Sequence, residues 1–400
     1  MPSKELFERN DQYEKKIIQW RRDLHQIPEL GLDLPKTVDY VRSQLIGMGL
    51  SVEDHYVNGN GLAVVIEGSK EGSPNDRVMG LRADMDGLPI QEETGLSFAS
   101  RNGNMHACGH DGHTATLLAV ADFLSHHRHL FGGKVKLIFQ PGEEYPGGAE
   151  PMIQEGVLKN PDVTRVLGFH IGHLDKAIAP GHISYRVGPM MASMDRFQII
   201  IKGFGFHAGY PESSKDPITV AAELIMAFQT IKSRNIKASD PVVVSVTHIE
   251  GGFNQNIIPD QVFIEGTVRT LNDDLRAFVH QRMDKITKGL EVAYDVKIDL
   301  SYEYKYPVLV NDQASTLDTV KALQAGLGDD YLIPSAEALM GAEDFAYYGK
   351  ELPATFLFLA NPREIEGQFH GHHSSKFDID ESKLILAFKA FILATLDYLQ

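Results

Sequence analysis

The eight residues from His106 to His113 constrain this 400-residue chain more than any other segment. They contain its only cysteine, Cys108, together with three histidines and an aspartate. Thiolate, imidazole and carboxylate groups are the side chains that bind zinc-like ions in proteins. A single glycine separates Cys108 from His110, and this spacing suits a tight turn that directs both side chains at one centre. The segment therefore predicts a metal site, to which the fold must bring further donors.

Further donors of the same kinds lie far away along the chain. They are Glu143 and Glu144 after one apolar run, His170 after another, and His372 and His373 near the C-terminus. A glutamate pair is usually solvated surface, and a single cysteine is most often a small buried apolar residue. The preceding apolar runs favour a site instead, because strands of an α/β sheet would deliver these groups to one edge. We expect one metal centre assembled from distant segments.

Composition limits the class of protein. Hydrophobic residues make up 43% and charged residues 23% of the chain, which is typical of a globular protein of two or three domains. The net charge of −16 disfavours nucleic acid and anionic membrane surfaces as partners. No apolar run approaches the ~18 residues of a membrane-spanning helix, and the polar segment from Met1 to Lys16 lacks a signal-peptide core. One cysteine excludes an internal disulfide framework, so we expect a cytoplasmic protein.

Strand and helix patterns alternate in the first part of the chain. Apolar residues from Tyr13 to Ile27 recur at helical spacing, and Pro28 ends this helix. Strands are predicted over residues 62–66, 78–82, 135–139 and 166–169, and a helix over residues 114–125. This alternation predicts an α/β core whose chemical groups lie where strands end or helices begin.

The middle of the chain has a different pattern. The predicted strands are 197–202, 241–248 and 262–270, and the predicted helices are 217–232 and 273–292. An apolar strand over residues 354–359 then precedes His372, as if the chain returned to its first domain. We therefore predict a mixed-sheet catalytic domain over residues 1–189 and 303–400, with an α+β domain inserted over residues 190–302.

The donor set suits two divalent ions held ~3.5–4 Å apart, which can activate a water between them. The predicted donors are Cys108, His110, Glu144, His170 and His373. Glu143 is adjacent to a predicted ligand and could act as the general base, or it could be a salt-bridge partner behind the ligands. Asp84 or Asp86, at the end of a predicted strand, could hold a ligand imidazole in place or could be turn residues.

Motifs along nearly the whole chain add a family resemblance. They include Arg82-Ala83-Asp84-Met85-Asp86, His106-Ala107-Cys108-Gly109-His110, Gln140-Pro141-Gly142-Glu143-Glu144, Gly205-Phe206-His207-Ala208 and Gly341-Ala342-Glu343-Asp344-Phe345. In this order they resemble the metallo-amidohydrolases and aminoacylase-type metallopeptidases. That family includes hippurate hydrolases, auxin-conjugate hydrolases and N-acyl-amino-acid deacylases.

The resemblance implies a role for each candidate residue. The family's metal-ligand positions fall on Cys108, His110, Glu144, His170 and His373, and its catalytic base falls on Glu143. We prefer His373 to His372 because it lies four residues before Phe377, as the family pattern requires. The implied cofactors are two divalent ions, and the donor set suits Zn²⁺, Mn²⁺, Co²⁺ or Ni²⁺.

The inserted domain resembles the family's lid and dimerisation domain, which implies a homodimer or a tetramer. His207, Asn256 and Arg269 fall on substrate-contacting positions, and in related dimers the matching histidine can reach into the partner's site. We expect His207 to stabilise an oxyanion, and Arg269 with Asn256 to hold a substrate carboxylate. The alternatives are a structural histidine, a turn asparagine and a surface ion pair.

These inferences together predict a metal-dependent amidohydrolase that cleaves small N-acyl amino acids into a carboxylic acid and an amino acid. Glu143 would deprotonate the attacking water and pass the proton to the departing amine. Two other classes of function are alternatives. One is a thiol amidohydrolase with Cys108 as the nucleophile, and the other is a non-catalytic homologue that binds metal.

Overall fold

The structure is a computed structural model that describes residues 11–73 and 75–400. The first ten residues of the polar N-terminal segment therefore lie outside the described residues. The α-helices of the described chain are α1 (Asp11–His25), α2 (Pro35–Gly47), α3 (His110–His126), α4 (Ala149–Gln154), α5 (Pro217–Asn235), α6 (Asp273–Tyr294), α7 (Gln313–Leu327), α8 (Ala346–Glu351) and α9 (Leu384–Tyr398). The strands are β1 (Val52–Tyr56), β2 (Gly61–Glu67), β3 (Val78–Asp84), β4 (Lys134–Gln140), β5 (Arg165–Gly172), β6 (Ile183–Tyr185), β7 (Gly188–Met191), β8 (Asp195–Lys202), β9 (Phe206–His207), β10 (Val242–Gly251), β11 (Ile257–Ile258), β12 (Gln261–Thr270), β13 (Lys297–Tyr304), β14 (Leu309–Asn311), β15 (Leu332–Pro334), β16 (Ala354–Ala360), β17 (Glu364–Ile365) and β18 (Gln368–Phe369). Within the described ranges, no helix combines the length and the apolar character needed to cross a membrane.

The chain forms two compact units. The first contains the residues up to Gly188 together with Val310–Glu337 and Asp344–Gln400, and the second contains Pro189–Leu309 and Ala338–Glu343. The second unit therefore begins at Pro189, extends to Leu309, and takes in a short return segment that no sequence pattern indicated. That segment belongs to the second unit because the backbone N–H of Ala192 donates to the carbonyl oxygens of Leu339 and Gly341 at 3.0 and 2.9 Å.

An eight-stranded mixed sheet forms the centre of the first unit, in the order β1-β2-β4-β3-β5-β16-β6-β15. Strands β4, β3, β5 and β16 are mutually parallel neighbours, so their carboxyl ends lie at one edge of the sheet. Every residue of β3 and of β16 is buried, as expected for parallel strands that are covered on both faces. Helices α1, α3 and α9 pack on one another beside this sheet. The α/β prediction for this part of the chain is confirmed.

Helix α3 is the element that presents most of the metal-binding motif. It begins at His110 rather than at residue 114, so the predicted start was wrong. Gly109 precedes it with a φ of +92°, a conformation that favours glycine. Every residue from His110 to Leu124 is buried, so the helix has no polar stripe by which its start could be recognised.

Strand β5 also differs from its prediction in a way that matters for the site. It continues to Gly172, so His170 lies within the strand and does not follow it. Gly172 has a φ of +108°, and a Cβ there would approach the Cε1 atom of His372 to 2.3 Å. The absence of a side chain at Gly172 therefore leaves room for the imidazole ring of His372 against its Cα.

The second unit is built on a four-stranded antiparallel sheet in the order β10-β12-β8-β13, with α5 and α6 packed on it. Buried and half-buried residues alternate along β12, as expected for a sheet with one face on a core. Gly266 leaves room for the ring of Phe197, which would lie 2.3 Å from a Cβ at that position. A separate two-stranded ladder pairs β9 with β11. The predicted α+β character of this region is confirmed.

Candidate metal centre

The carboxyl edge of the parallel strands in the first unit brings the predicted ligands together. Their potential ligand atoms lie within 4.8 Å of one another in three overlapping sets, namely Cys108 with His110 and His170, Cys108 with Glu144 and His373, and His110 with Glu143 and Glu144. All five predicted ligands and the predicted base therefore converge. Cys108 belongs to two of the sets, which places its thiol between the two groups of donors.

Cys108 and His170 have the separation of two ligands of one ion. The Sγ and Nε2 atoms are 3.5 Å apart, and a sulfur and a nitrogen bound to one tetrahedral zinc ion would be separated by about 3.6 Å. The Nδ1 atom of His170 lies 2.8 Å from the carbonyl oxygen of Ile171, which can only accept, so Nδ1 carries the proton. Burial, with the charges of His113 and His372, lowers the pKa of His170 well below its usual range. The ring is thus neutral and directs the Nε2 lone pair at the thiol.

His110 has the complementary arrangement of an oriented ligand. Its Nδ1 atom lies 3.0 Å from the carbonyl oxygen and 3.2 Å from the Oδ1 atom of Asp86. Its Nε2 atom is buried without a hydrogen-bond partner among the described residues. Burial lowers the pKa of His110, but Asp84 and Asp86 outweigh this effect and raise the pKa to about 10. The same carboxylates that attract a proton to this ring would attract a divalent cation.

The thiol of Cys108 also fits a cation site. Burial raises the pKa of Cys108, and the negative charges of Glu144 and Glu143 raise it further. A thiolate is therefore unfavourable here unless a positive charge lies between it and the glutamates. A divalent cation supplies that charge, because metal binding deprotonates a coordinating thiol. The residues present fit a metal centre of mixed sulfur, nitrogen and oxygen donors.

Asp86 fixes the turn that carries both glutamates. The backbone N–H groups of Glu143 and Glu144 donate to its Oδ1 and Oδ2 atoms, each at 3.0 Å. Glu143 is buried, and its Oε2 atom lies 3.9 Å from the Nε2 atom of His110. One carboxylate thus positions a predicted ligand, the predicted base and the imidazole of His110.

Asp84, the other aspartate considered from the sequence, has a different principal partner. Its Oδ1 atom lies 2.5 Å from the Nδ1 atom of His113, and its Oδ2 atom is 3.6 Å from the Nε2 atom of His110. The Nε2 atom of His113 in turn accepts a hydrogen bond from the backbone N–H of Ile171 at 2.9 Å. Burial raises the pKa of Asp84, but His110, His113 and Arg82 hold it well below its usual range. No sequence pattern indicated a role for His113, although its spacing from His110 is that of one helical turn.

Glu144 and His373 form the other side of the cluster. Their Oε1 and Nε2 atoms are 3.0 Å apart. Burial raises the pKa of Glu144, but contact with His373 and the charge of His110 outweigh it, so the carboxylate form is favoured. His373 has a φ of +65°, and its backbone N–H donates to the carbonyl oxygen of Ala107 at 2.9 Å.

His372, the alternative last ligand, also approaches Cys108. Its Nδ1 atom is 3.6 Å from Sγ, but its Nε2 atom accepts a hydrogen bond from the backbone N–H of His173 at 3.1 Å. The proton of a neutral ring with that contact resides on Nδ1, so no lone pair faces the cluster. These contacts favour His373 over His372 as the ligand.

The three predicted substrate-contacting residues all belong to the second unit. His207 pairs with Ile257 in the β9–β11 ladder, and the backbone N–H of Ala208 donates to the carbonyl oxygen of Asn256 at 2.9 Å. His207 and Asn256 are exposed neighbours, whereas Arg269 is half-buried on β12. The Nη1 group of Arg269 donates to the carbonyl oxygen of Val268 at 3.2 Å and also to the hydroxyl of Thr267. Burial lowers the pKa of Arg269, and Asp195 only partly offsets this effect.

The fold and the cluster define a metallohydrolase of the peptidase type. The chain belongs to Peptidase family M20/M25/M40, whose family model matches residues 80–394. This membership confirms the resemblance inferred from the motifs.

Relatives match over most of the chain. The N-acetylcysteine deacetylase of Bacillus subtilis is 37% identical over 381 residues, which are 95% of this chain and 96% of that protein. The N-acyl-L-amino acid amidohydrolase of Geobacillus stearothermophilus is 39% identical and covers 78% of this chain and 82% of its own length. The crystal structure of the Bacillus subtilis YXEP protein, a dinuclear metal binding peptidase, superposes with a TM-score of 0.82 at 33% identity and covers 98% of this chain and 99% of its own. A crystal structure from methicillin-resistant Staphylococcus aureus gives a TM-score of 0.90 at 38% identity over 99% of both chains.

Proposed function

We propose that this protein is a metal-dependent amidohydrolase that cleaves N-acyl amino acids into a carboxylic acid and an amino acid. The observation that carries the proposal is the convergence of one thiol, three imidazoles and two carboxylates at the carboxyl edge of the sheet. The names of the relatives point to the same substrate class, since they include deacetylases of N-acetylcysteine and of N-acetyldiaminopimelate. In this proposal two divalent cations are held by Cys108, His110, Glu144, His170 and His373.

Glu143 is the residue to which we assign the proton transfers. When bound, the cations lower the pKa of a water and polarise the scissile carbonyl. Glu143 accepts the proton of that water as it attacks the carbonyl carbon, and then delivers it to the amine nitrogen as the C–N bond breaks. Asp86 supports this role, because its bond to the Glu143 backbone holds the carboxylate beside His110.

The second unit supplies the groups to which we assign substrate binding. The Nδ1 atom of His207 accepts a hydrogen bond from the backbone N–H of Gly209 at 3.0 Å, so the proton of the neutral ring lies on Nε2. An exposed Nε2–H group is suited to donate to an oxyanion. Asn256 and Arg269 would then hold the free carboxylate of the substrate, for which a guanidinium is well suited.

We also propose that the protein is a cytoplasmic homodimer, with residues 190–302 as its lid and dimerisation domain and residues 1–189 and 303–400 as its catalytic domain. The feature that supports a dimer is β10, an edge strand of the four-stranded sheet. Its last five residues, from Thr247 to Gly251, are exposed, and an unpaired edge can accept a strand of a second copy. Light scattering of the purified chain tests this assembly, and a monomer at micromolar concentration would contradict it.

The alternative of a thiol hydrolase is disfavoured by the surroundings of Cys108. A lowered pKa favours a thiol nucleophile, whereas burial and two glutamates raise the pKa of this thiol. Alkylation distinguishes the two mechanisms. The metal-loaded enzyme should resist iodoacetamide much longer than the chelated enzyme, and equal inactivation of both would favour the thiol mechanism.

A substrate screen tests the function itself. The metal-loaded protein should release free amine from at least one N-acetyl or N-benzoyl amino acid. Treatment with EDTA should abolish this release, and added Mn²⁺ or Zn²⁺ should restore it. Activity that persists after the metal has been removed would contradict a metal-dependent reaction. Absence of turnover on every acyl amino acid tested, with metal bound, would favour the non-catalytic alternative.

A further inference from the structure

Two imidazoles approach the thiol of Cys108 at nearly the same distance. The Nε2 atom of His170 lies 3.5 Å from Sγ, and the Nδ1 atom of His372 lies 3.6 Å from it. Distance alone would therefore allow both rings to be ligands of the same ion. The second nitrogen of each ring distinguishes them.

The two rings have opposite tautomers. His170 donates from Nδ1 to a backbone carbonyl and presents a lone pair to the thiol. His372 accepts at Nε2 from a backbone N–H and so presents an N–H group to the thiol. A lone pair suits a metal ligand, whereas an N–H group suits a hydrogen-bond donor to a thiolate.

We propose that His372 is a positioning residue whose Nδ1–H donates a hydrogen bond to the thiolate of Cys108 while that thiolate binds metal. The inference rests on the proposed role of Cys108 as a ligand and adds a residue to which that proposal gave no part. Donors behind a ligand fix its orientation and tune its electron density. Here the ligand is a buried thiolate close to two glutamates, for which such a donor offsets part of the negative charge.

The surroundings of His372 are arranged to hold the ring in this orientation. Gly172 lies directly against it, since a Cβ at that residue would be 2.3 Å from Cε1 and 2.4 Å from Nε2. The ring of Phe377 lies on another side, with the two ring centroids 4.8 Å apart. With the backbone N–H of His173 at Nε2, these contacts leave the imidazole little freedom to exchange its two nitrogens.

Replacement of the native metal by Co²⁺ gives a direct test, because a thiolate bound to Co²⁺ has a charge-transfer absorption band. In His372→Phe the ring shape remains but the donor is lost, so the thiolate becomes more electron-rich. We expect the band to move to longer wavelength. We also expect the Co²⁺ affinity, measured by competition with a chelator, to fall about 10–100-fold. His372→Asn retains an amide N–H near Sγ, so its band position and its Co²⁺ affinity should be closer to those of the wild type.

A matched control uses the neighbouring histidine. His173→Gln removes an imidazole from the same region but keeps the backbone N–H that holds His372, so its band and its affinity should match the wild type. A band that is present but unchanged in His372→Phe would overturn this inference and leave the metal site intact. Loss of one metal ion per chain in His372→Phe and in His372→Asn alike would instead make His372 a ligand and would also overturn it. A wild-type protein without the band would remove Cys108 from the metal site, and the inference with it.

Discussion

The metal centre of the first unit and the β9–β11 ladder of the second unit hold their functional side chains in different ways. In the first, all of the predicted ligands except Glu144 and His373 are buried, and a buried side chain from a distant segment, Asp86, orients His110. In the second, His207 and Asn256 are exposed, and His207 contacts the backbone N–H of Gly209 and the ring of Tyr210. The comparison indicates that the metal centre is pre-organised before substrate binds, whereas the ladder offers groups whose hydrogen bonds are completed by substrate.

A buried ionic network extends this pre-organisation behind the metal centre. His25 lies between two carboxylates, with Nδ1 2.7 Å from Asp111 and Nε2 3.2 Å from Glu92. Asp111 also pairs with the guanidinium of Arg21 at 2.8 Å. Because Asp111 follows His110 directly in the sequence, this network anchors the first turn of α3.

The largest effect is expected from breaking this network. His25→Gln leaves two buried carboxylates with less positive charge, and removal of one member of a buried ion pair costs about 3–5 kcal/mol. Urea unfolding of the chelated protein at pH 6 measures this loss. His127→Gln, which changes a histidine at the far end of α3, is the control and should have a much smaller effect. Equal loss in the two variants would contradict a structural role for the network.

The free energy of unfolding of His25→Gln should also depend on pH differently from that of the wild type. Burial and the charge of Arg21 lower the pKa of His25, but Asp111 and Glu92 outweigh them, so the pKa is raised above its ordinary value. The stability that protonated His25 contributes is therefore fully present below about pH 6.5 and is lost as the pH rises through the raised pKa. His25→Gln should lack this alkaline loss. Parallel pH dependences of the free energy of unfolding in the wild type and the variant would contradict the assignment.

The second largest effect is expected at His207 in the exposed β9–β11 ladder. It should lower the rate of catalysis without changing stability. His207→Ala removes one oxyanion donor, for which a loss of about 10²–10³ in kcat is typical. Because the side chain is exposed, metal content and melting temperature should not change. Gln229→Ala, at an exposed residue of α5 in the same unit, is the control. A His207→Ala variant with wild-type kcat would remove this residue from the mechanism.

Mixed subunits sharpen the same prediction. If His207 acts across a dimer, His207→Ala mixed with Glu143→Gln should recover partial activity, since one hybrid site then has both groups intact. Inactive mixtures whose subunits demonstrably exchange would confine His207 to its own chain.

A smaller effect is expected at Asp86, whose carboxylate touches no predicted substrate position. Asp86→Asn retains the size of the side chain but replaces one acceptor oxygen by an amide, so one of the two glutamate N–H groups loses its partner. Loss of such a contact behind a ligand typically lowers metal affinity about 10–100-fold. Chelator competition measures this loss, with Asp54→Asn, an exposed aspartate on β1, as the control. Affinity equal to that of the wild type would indicate that Asp86 does not orient the site.

Sequence patterns could predict which thiol, imidazole and carboxylate groups come together, because most of these groups lie near the end of a strand or at the start of a helix. They could not distinguish Asp84 from Asp86, since both lie at the end of β3 and the local backbone decides which carboxylate meets His110. The start of α3 was also hidden. Its first turn is polar but buried against a charged network. An amphipathic helix is recognised in a sequence by an apolar stripe opposite a polar face, and this turn has no such pattern.

The two histidines near the C-terminus illustrate the same limit. The spacing before Phe377 favoured His373, but the property that separates His372 from it is a hydrogen bond with the backbone of His173, far away in the sequence. Tertiary contacts of this kind fix a tautomer and are absent from any local pattern.

One paired measurement tests whether Glu143 transfers protons while its neighbour Glu144 holds metal. Metal per chain, determined by mass spectrometry, is compared with turnover in Glu143→Gln and Glu144→Gln. We predict that Glu143→Gln keeps the wild-type metal content and loses turnover by about 10²–10⁴, whereas Glu144→Gln loses metal as well as turnover. Equal loss of metal in the two variants, or turnover preserved in Glu143→Gln, would contradict the account.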